Sequence, residues 1–179
     1  MARVIVLNGI SSAGKSSLAK AMQARADNDW LHVSLDQFIS MIPAGRETRP
    51  SWFVVQASKD YAVPEVSLTI GPNGKQLTAA MRDFIRSAVD RGLDVIVDDV
   101  CTLHEVTDYR SLLAGHELTI VKVDVPLAIA EHRERSRGDR MIGLARNQWG
   151  SIHEGIAYDL VVENGEGALD ACAETILSF

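Results

Sequence analysis

Gly9-Ile10-Ser11-Ser12-Ala13-Gly14-Lys15-Ser16, continued by Ser17, is the stretch that decides how this 179-residue chain is read. It fits G-x-x-x-x-G-K-[ST], in which the glycines let the backbone wrap a phosphate with its N–H groups turned inward. The flanks give the match its weight. Before it, Arg3-Val4-Ile5-Val6-Leu7 is a β-branched run suited to a buried parallel strand. After it, Leu18, Ala19, Met22 and Ala26 recur at helical spacing. A helix opening near Lys15 aims its dipole and unpaired N–H groups at the same anion. The stretch therefore predicts a nucleoside triphosphate held by Gly9, Ile10, Ser11, Ser12, Ala13, Gly14, Lys15, Ser16 and Ser17. Lys15 is expected on the β- and γ-phosphates, and Ser16 on Mg²⁺.

Outward from the loop, strand and helix patterns alternate. Strands are expected at 30–35, 93–97, 118–123 and 159–162, and helices at 16–26, 37–42, 75–91, 105–114, 126–137, 144–149 and 169–177. Alternation of this kind predicts an α/β fold, a P-loop NTPase-type three-layer sandwich with a mainly parallel five-stranded sheet between helices. The whole of 1–179 reads as a single domain carrying an arginine-rich lid at about 133–143. Residues 43–74 break the rhythm with Pro43, Gly45, Pro50, Pro64, Gly71, Pro72 and Gly74. Within them, 52–55 and 66–70 have the composition of short strands. Irregular inserts of this length usually serve function, and Trp52 and Phe53 are candidates either for the wall of an acceptor site or for packing the insert.

Composition bounds the partners. The net charge of −6 argues against bulk attraction to nucleic acid or to an anionic membrane. No apolar run is long enough to span a bilayer, and the first one runs straight into the loop, as a core strand would. Cys101 and Cys172 stand far apart with no metal or redox spacing, as expected of reduced thiols in a cytoplasmic protein.

Ligands of open parallel sheets bind beyond the carboxyl ends of the strands. The loop, Asp36 and the Asp98–Asp99 pair all fall at expected carboxyl ends, so they should meet in one crevice. Asp36 reads either as a helix N-cap or as the base that takes a proton from an attacking hydroxyl. Adjacent strand residues face opposite ways, so only one of the two aspartates should serve the metal. Asp98 directly follows the apolar run and is the expected one, which leaves Asp99 for a second substrate. Arg133 and Arg137, four apart, share a helix face and are expected to close over the triphosphate. Arg140 and Arg135 are weaker candidates, and Gly138 a hinge.

Taken together, 5–9, 11–16, Ile70-Gly71-Pro72, 96–100, Arg137-Gly138-Asp139-Arg140, His153-Glu154-Gly155 and Tyr158-Asp159 resemble the chloramphenicol 3-O-phosphotransferase family along nearly the whole chain. The resemblance implies a P-loop kinase that uses ATP and Mg²⁺ to phosphorylate a primary hydroxyl of a small antibiotic, with Asp36 as its base. The chain departs from the family at Glu163-Asn164, where base contacts are implied, and through 43–66, where the acceptor pocket is implied. Arg46, Arg49 and Lys59 are the only hints of a basic groove for a nucleotide or polynucleotide acceptor. A guanine-reading Asn-Lys-x-Asp segment, as a regulatory GTPase would need, is missing. A non-catalytic nucleotide-binding module is the remaining alternative.

Overall fold

The structure, a computed structural model, describes residues 1–57, 66–137 and 142–179. Lys59, Pro64, Gly138, Asp139 and Arg140 lie outside the described residues. In chain order the elements are β1 (Arg3–Asn8), α1 (Lys15–Arg25), β2 (Trp30–Ser34), α2 (Leu35–Ile39), β3 (Phe53–Ala57), β4 (Val66–Ile70) and α3 (Pro72–Asp90). There follow β5 (Asp94–Asp99), α4 (Leu103–Leu112), β6 (Glu117–Asp124), α5 (Leu127–Arg137), α6 (Leu144–Trp149), β7 (Leu160–Glu163) and α7 (Leu169–Leu177).

The main sheet has five strands in the order β2-β5-β1-β6-β7, every neighbouring pair parallel. Its buried strands are apolar on both faces. Val4 and Val6 of β1 join a core with Met81, Ile85, Val97 and Tyr109 under α3 and α4. Ile5 and Leu7 turn the other way, into a core with Leu18, Met22 and Ile176 under α1 and α7. The sheet is thus the middle of three layers. β1 lies where the strand order reverses, with β5 on one side and β6 on the other, so the segment after β1 opens on the crevice that such a reversal creates.

Element boundaries differ from the sequence expectation by one to a few residues, and three of the differences bear on the site. β5 runs on through Asp98 and Asp99, because both remain in register with Leu7 and Asn8 of β1. α3 opens at Pro72, whose fixed φ suits the first helical turn, so the irregular insert is shorter than expected. α2 opens at Leu35, because Ser34 caps it. The Ser34 hydroxyl accepts from the Gln37 N–H at 3.3 Å, and the Gln37 side chain accepts from the Ser34 N–H at 2.8 Å. The two short strands of the insert are present as an antiparallel hairpin, β3 with β4, separate from the main sheet. Among the described residues no helix is long and apolar enough to cross a membrane.

Candidate active site

The loop after β1 is held by close packing. A Cβ on Gly9 would stand 2.7 Å from the carbonyl oxygen of Val123, a backbone atom of β6. Gly9→Ala is therefore expected to destabilise the fold by about 1–3 kcal/mol, since the strand behind cannot yield. Thermal unfolding checks this, and an unchanged midpoint would show that the loop stands away from β6. Gly14 has φ +90°, the left-handed conformation that turns the loop into α1. Asn164, just beyond β7, donates from Nδ2 to the Ala13 carbonyl at 2.7 Å and so closes the loop from behind. Ser12 is the one non-glycine residue with a left-handed backbone among those described, at φ 59°, and its buried hydroxyl has no hydrogen-bond partner. A strained residue with an orphaned hydroxyl in a glycine loop is what an anion cradle leaves unsatisfied until its ligand arrives.

Lys15 is buried in the loop, its Nζ donating to the carbonyls of Gly9 at 2.8 Å and Ile10 at 3.1 Å. The Ser16 hydroxyl donates to Asp98 Oδ2 at 2.6 Å, and Lys15 Nζ lies 3.9 Å from Asp98 Oδ1. His32 of β2 completes the group, with Nε2 at 3.7 Å from Asp98 Oδ2. Burial pushes the Asp98 carboxyl up, but His32, the Lys15 charge and the Ser16 hydroxyl outweigh it and hold the group below its ordinary value. Asp99 faces the other way, as the strand pleat requires. Its oxygens accept from the Val100 N–H at 2.8 Å and the Tyr109 hydroxyl at 3.0 Å, and burial raises its pKa despite those bonds. A hydroxyl beside an ionised carboxylate is an oxygen donor set that fits Mg²⁺. Among the described residues no cluster of three or more His, Cys, Asp or Glu could hold a metal by itself.

Among the described residues, two cavities bordered by Ser12, Gly14 and Ser17 open on this loop. One, of about 390 Å³, is lined by Lys15, Ser16, Asp36, Asp98, Asp99 and Arg137 at its polar end. Ile39, Leu68, Ile70, Leu144 and Ile152 supply its apolar wall. The other, of about 580 Å³, lies on the far side of the loop between α5 and the segment after β7. Ser12, Gly14, Ser17 and Arg137 border both. Asp36 is exposed in the first turn of α2, and it is not the N-cap, a role Ser34 fills. Arg133 stands against the loop at Ala13 and Gly14. Its guanidinium donates to the carbonyls of Ala13, Asn164 and Gly165 at 3.3, 3.1 and 3.1 Å, making a wall of the second cavity. Arg137, the last residue of α5, is exposed at the boundary between the cavities.

Trp52 and Phe53 line neither cavity. Phe53 is buried where β3 pairs with Ile70, and it is β4 that gives the first cavity its wall. The segment around His153 and Tyr158 braces the end of β1 and lines neither of these two cavities, although His153 borders a smaller one, of about 210 Å³, with Ile10 and Trp149. Asn8 donates to the Tyr158 hydroxyl at 2.8 Å and to the Cys101 carbonyl at 2.9 Å, and the Tyr158 hydroxyl bonds His153 Nδ1 at 2.5 Å. Burial and, after it, the Lys122 charge push the His153 pKa down to about 4. Sequence reasoning did not single out His32 or Gln148, since neither belongs to a spaced motif. Asn164 was visible only as a departure from the family pattern.

Residues 2–179 match the family described as chloramphenicol phosphotransferase-like proteins. The chain belongs to that family. A protein of Mycobacterium tuberculosis, provisionally named an O-phosphotransferase and found in two strains, is 34% identical over 172 residues, covering 90% of this chain and 74% of the relative. The fold is that of P-loop kinases. A sugar kinase from Janibacter superposes with a TM-score of 0.67 at 16% identity, covering 99% of this chain and 94% of the other. The APS kinase of M. tuberculosis, solved with AMPPNP and APS, gives 0.65 at 16% identity, with 99% and 96% covered. A tunicamycin resistance protein from Deinococcus radiodurans gives 0.65 at 14% identity, with 99% and 95% covered. As a chloramphenicol phosphotransferase-like protein, the chain is an enzyme of the kinase and phosphotransferase class, built on a nucleotide-binding P-loop.

Proposed function

We propose that this protein moves the γ-phosphate of ATP to a hydroxyl of a small molecule, with a chloramphenicol-like alcohol as the first acceptor to test. The observation that carries the reading is the pair of cavities that share the phosphate loop and Arg137. The larger one, walled by Arg133 and the segment after β7, suits a nucleoside, and the other, mainly apolar with Asp36 in its lining, suits an amphipathic alcohol. A phosphoryl group passing between them would cross the loop at Lys15 and Arg137.

In this reading Asp36 accepts the proton of the acceptor hydroxyl as its oxygen bonds the γ-phosphorus and the bond to the ADP oxygen breaks. Asp36 then releases that proton to water. Lys15 and Arg137 hold the charge on the transferring group, and Ser12 gives its hydroxyl a partner. Ser16 and Asp98 would hold Mg²⁺, which when bound neutralises phosphate charge. Because the transition state is loose, positioning and electrostatics supply most of the acceleration. The setting is the cytoplasm, where ATP is at hand, and neither nucleic acid nor membrane is a partner.

The deciding experiment incubates purified protein with MgATP and a panel of hydroxylated antibiotics that includes chloramphenicol, and reads product masses. A phosphorylated antibiotic with stoichiometric ADP supports reaction and acceptor together. ATP binding without a phosphorylated product moves the acceptor to another metabolite. Failure to bind ATP overturns the reading.

A further inference from the structure

In a loop whose N–H groups face an anion site, one of them is already taken by a side chain. The Ser11 N–H donates to Gln148 Oε1 at 2.6 Å. Gln148 comes from α6 and lines the cavity that holds Asp36. The polarity of this bond fixes the amide. A backbone N–H is only a donor, so the carbonyl oxygen of Gln148 must face Ser11, and the Nε2 donor takes the opposite edge.

α6 is not free to drift. Glu134, almost fully buried in α5, accepts from the N–H groups of Gly143 at 3.0 Å and Ala145 at 2.8 Å, at the start of α6. That carboxylate bolts the first turn of α6 to the helix that ends in Arg137. One pair of helices therefore carries Arg137 to the boundary between the cavities and Gln148 to the loop.

We propose that Gln148 is an acceptor-positioning residue. Its Oε1 sets the Ser11 backbone, and its Nε2 donates to an oxygen of the molecule seated opposite Asp36. The inference rests on the phosphotransfer reading above and adds a specificity-determining contact to it. A donor at this place selects an acceptor with a second oxygen within reach of the one that attacks, and it orients that oxygen against the loop.

The test compares Gln148→Ala, which loses both ends of the amide, with Gln148→Glu, which keeps an oxygen for the Ser11 N–H and loses the donor. The probes are MgATP with and without chloramphenicol, and a fluorescent ATP analogue for binding. Both variants are expected to lower kcat/KM for the probe acceptor about tenfold or more, the loss expected for one hydrogen bond to the reacting pair. Gln148→Ala should leave the affinity for the ATP analogue within about threefold. A purely structural role predicts the opposite pattern, with Gln148→Glu restoring wild-type turnover. Circular dichroism and thermal unfolding identify a variant that fails to fold, and Gln148→Glu, which retains the loop bond, keeps the comparison usable. An active wild type with a fully active Gln148→Glu overturns this inference alone. A wild type that binds neither ATP nor the analogue overturns the phosphotransfer reading and this inference with it, and one that binds them but leaves chloramphenicol unmodified moves the same comparison of variants to the acceptor that the panel identifies.

Discussion

Asp36→Asn is expected to slow phosphoryl transfer by about 10²–10⁴-fold while leaving ATP affinity within a few-fold, the range lost when a positioned general base is removed. Three features set that expectation. Asp36 shares a cavity wall with Lys15, Asp98 and Arg137, so a hydroxyl seated there has the carboxylate on one side and the phosphate loop on the other. The competing explanation for a carboxylate after β2, capping α2, fails because Ser34 and Gln37 form the cap between themselves. Asp36 is also exposed, so its amide replacement creates no buried defect. The first-turn dipole interaction contributes about 0.3–1 kcal/mol to the cost in stability. Steady-state transfer, an ATP-binding titration and a melting curve on the same preparation separate these effects. Turnover within about threefold of wild type, with ATP bound normally, would leave Asp36 as a surface acid and send the search for a base elsewhere in the cavity.

The parts of this site that the sequence discloses are those whose chemistry requires a residue type at a fixed spacing. Gly9 and Gly14 are legible because a Cβ at the first meets a neighbouring strand and the second needs a positive φ. The alternation of strands and helices is legible because a parallel sheet buried on both faces leaves β-branched runs such as those of β1 and β5. The division of labour between Asp98 and Asp99 follows from the pleat alone: one meets Ser16 and Lys15, the other Tyr109. Long-range partners are another matter. The bond from Ser11 to Gln148 spans 137 residues, and the clamp of Asn164 on Ala13 spans 151. Neither residue has a periodic or motif signal, so only the folded chain reveals the pairing. Arg133 shows the same limit from the other direction. Its helical spacing from Arg137 correctly put both on α5, but the spacing gives no sign of the three carbonyls by which Arg133 joins the loop to the segment after β7. The size of the insert's aromatics points toward a cavity wall, yet Phe53 is buried in the hairpin, and from β4 it is the aliphatic Leu68 and Ile70 that line the first cavity.

Lys15→Met should separate folding from function more sharply than any other single change. The ammonium is held inside the loop by the Gly9 and Ile10 carbonyls and faces Asp98, which puts a desolvated charge beside the place a phosphate would take. Methionine keeps much of the length and packing and removes the charge, so transfer is expected to fall by about 10³-fold, in line with losing a preorganised electrostatic contact to the transferring group. Nucleotide affinity should drop too, because Lys15 contacts phosphate in the ground state as well as in the transition state. The bare protein should melt somewhat lower, since the buried Asp98 carboxylate and the two loop carbonyls lose their partner. Wild-type protein should gain thermal stability on adding MgATP, while Lys15→Met, measured from its own midpoint without ligand, gains almost nothing with it. Arginine is not expected to rescue the position, because a planar fork cannot take the place of a compact ammonium between two loop carbonyls. The melting shift needs no acceptor and can be read before any substrate is known. A Lys15→Met protein that is still stabilised by MgATP as strongly as wild type would show that the phosphates bind away from this loop, and the roles assigned to Ser16, Asp98 and Arg137 would fall with it.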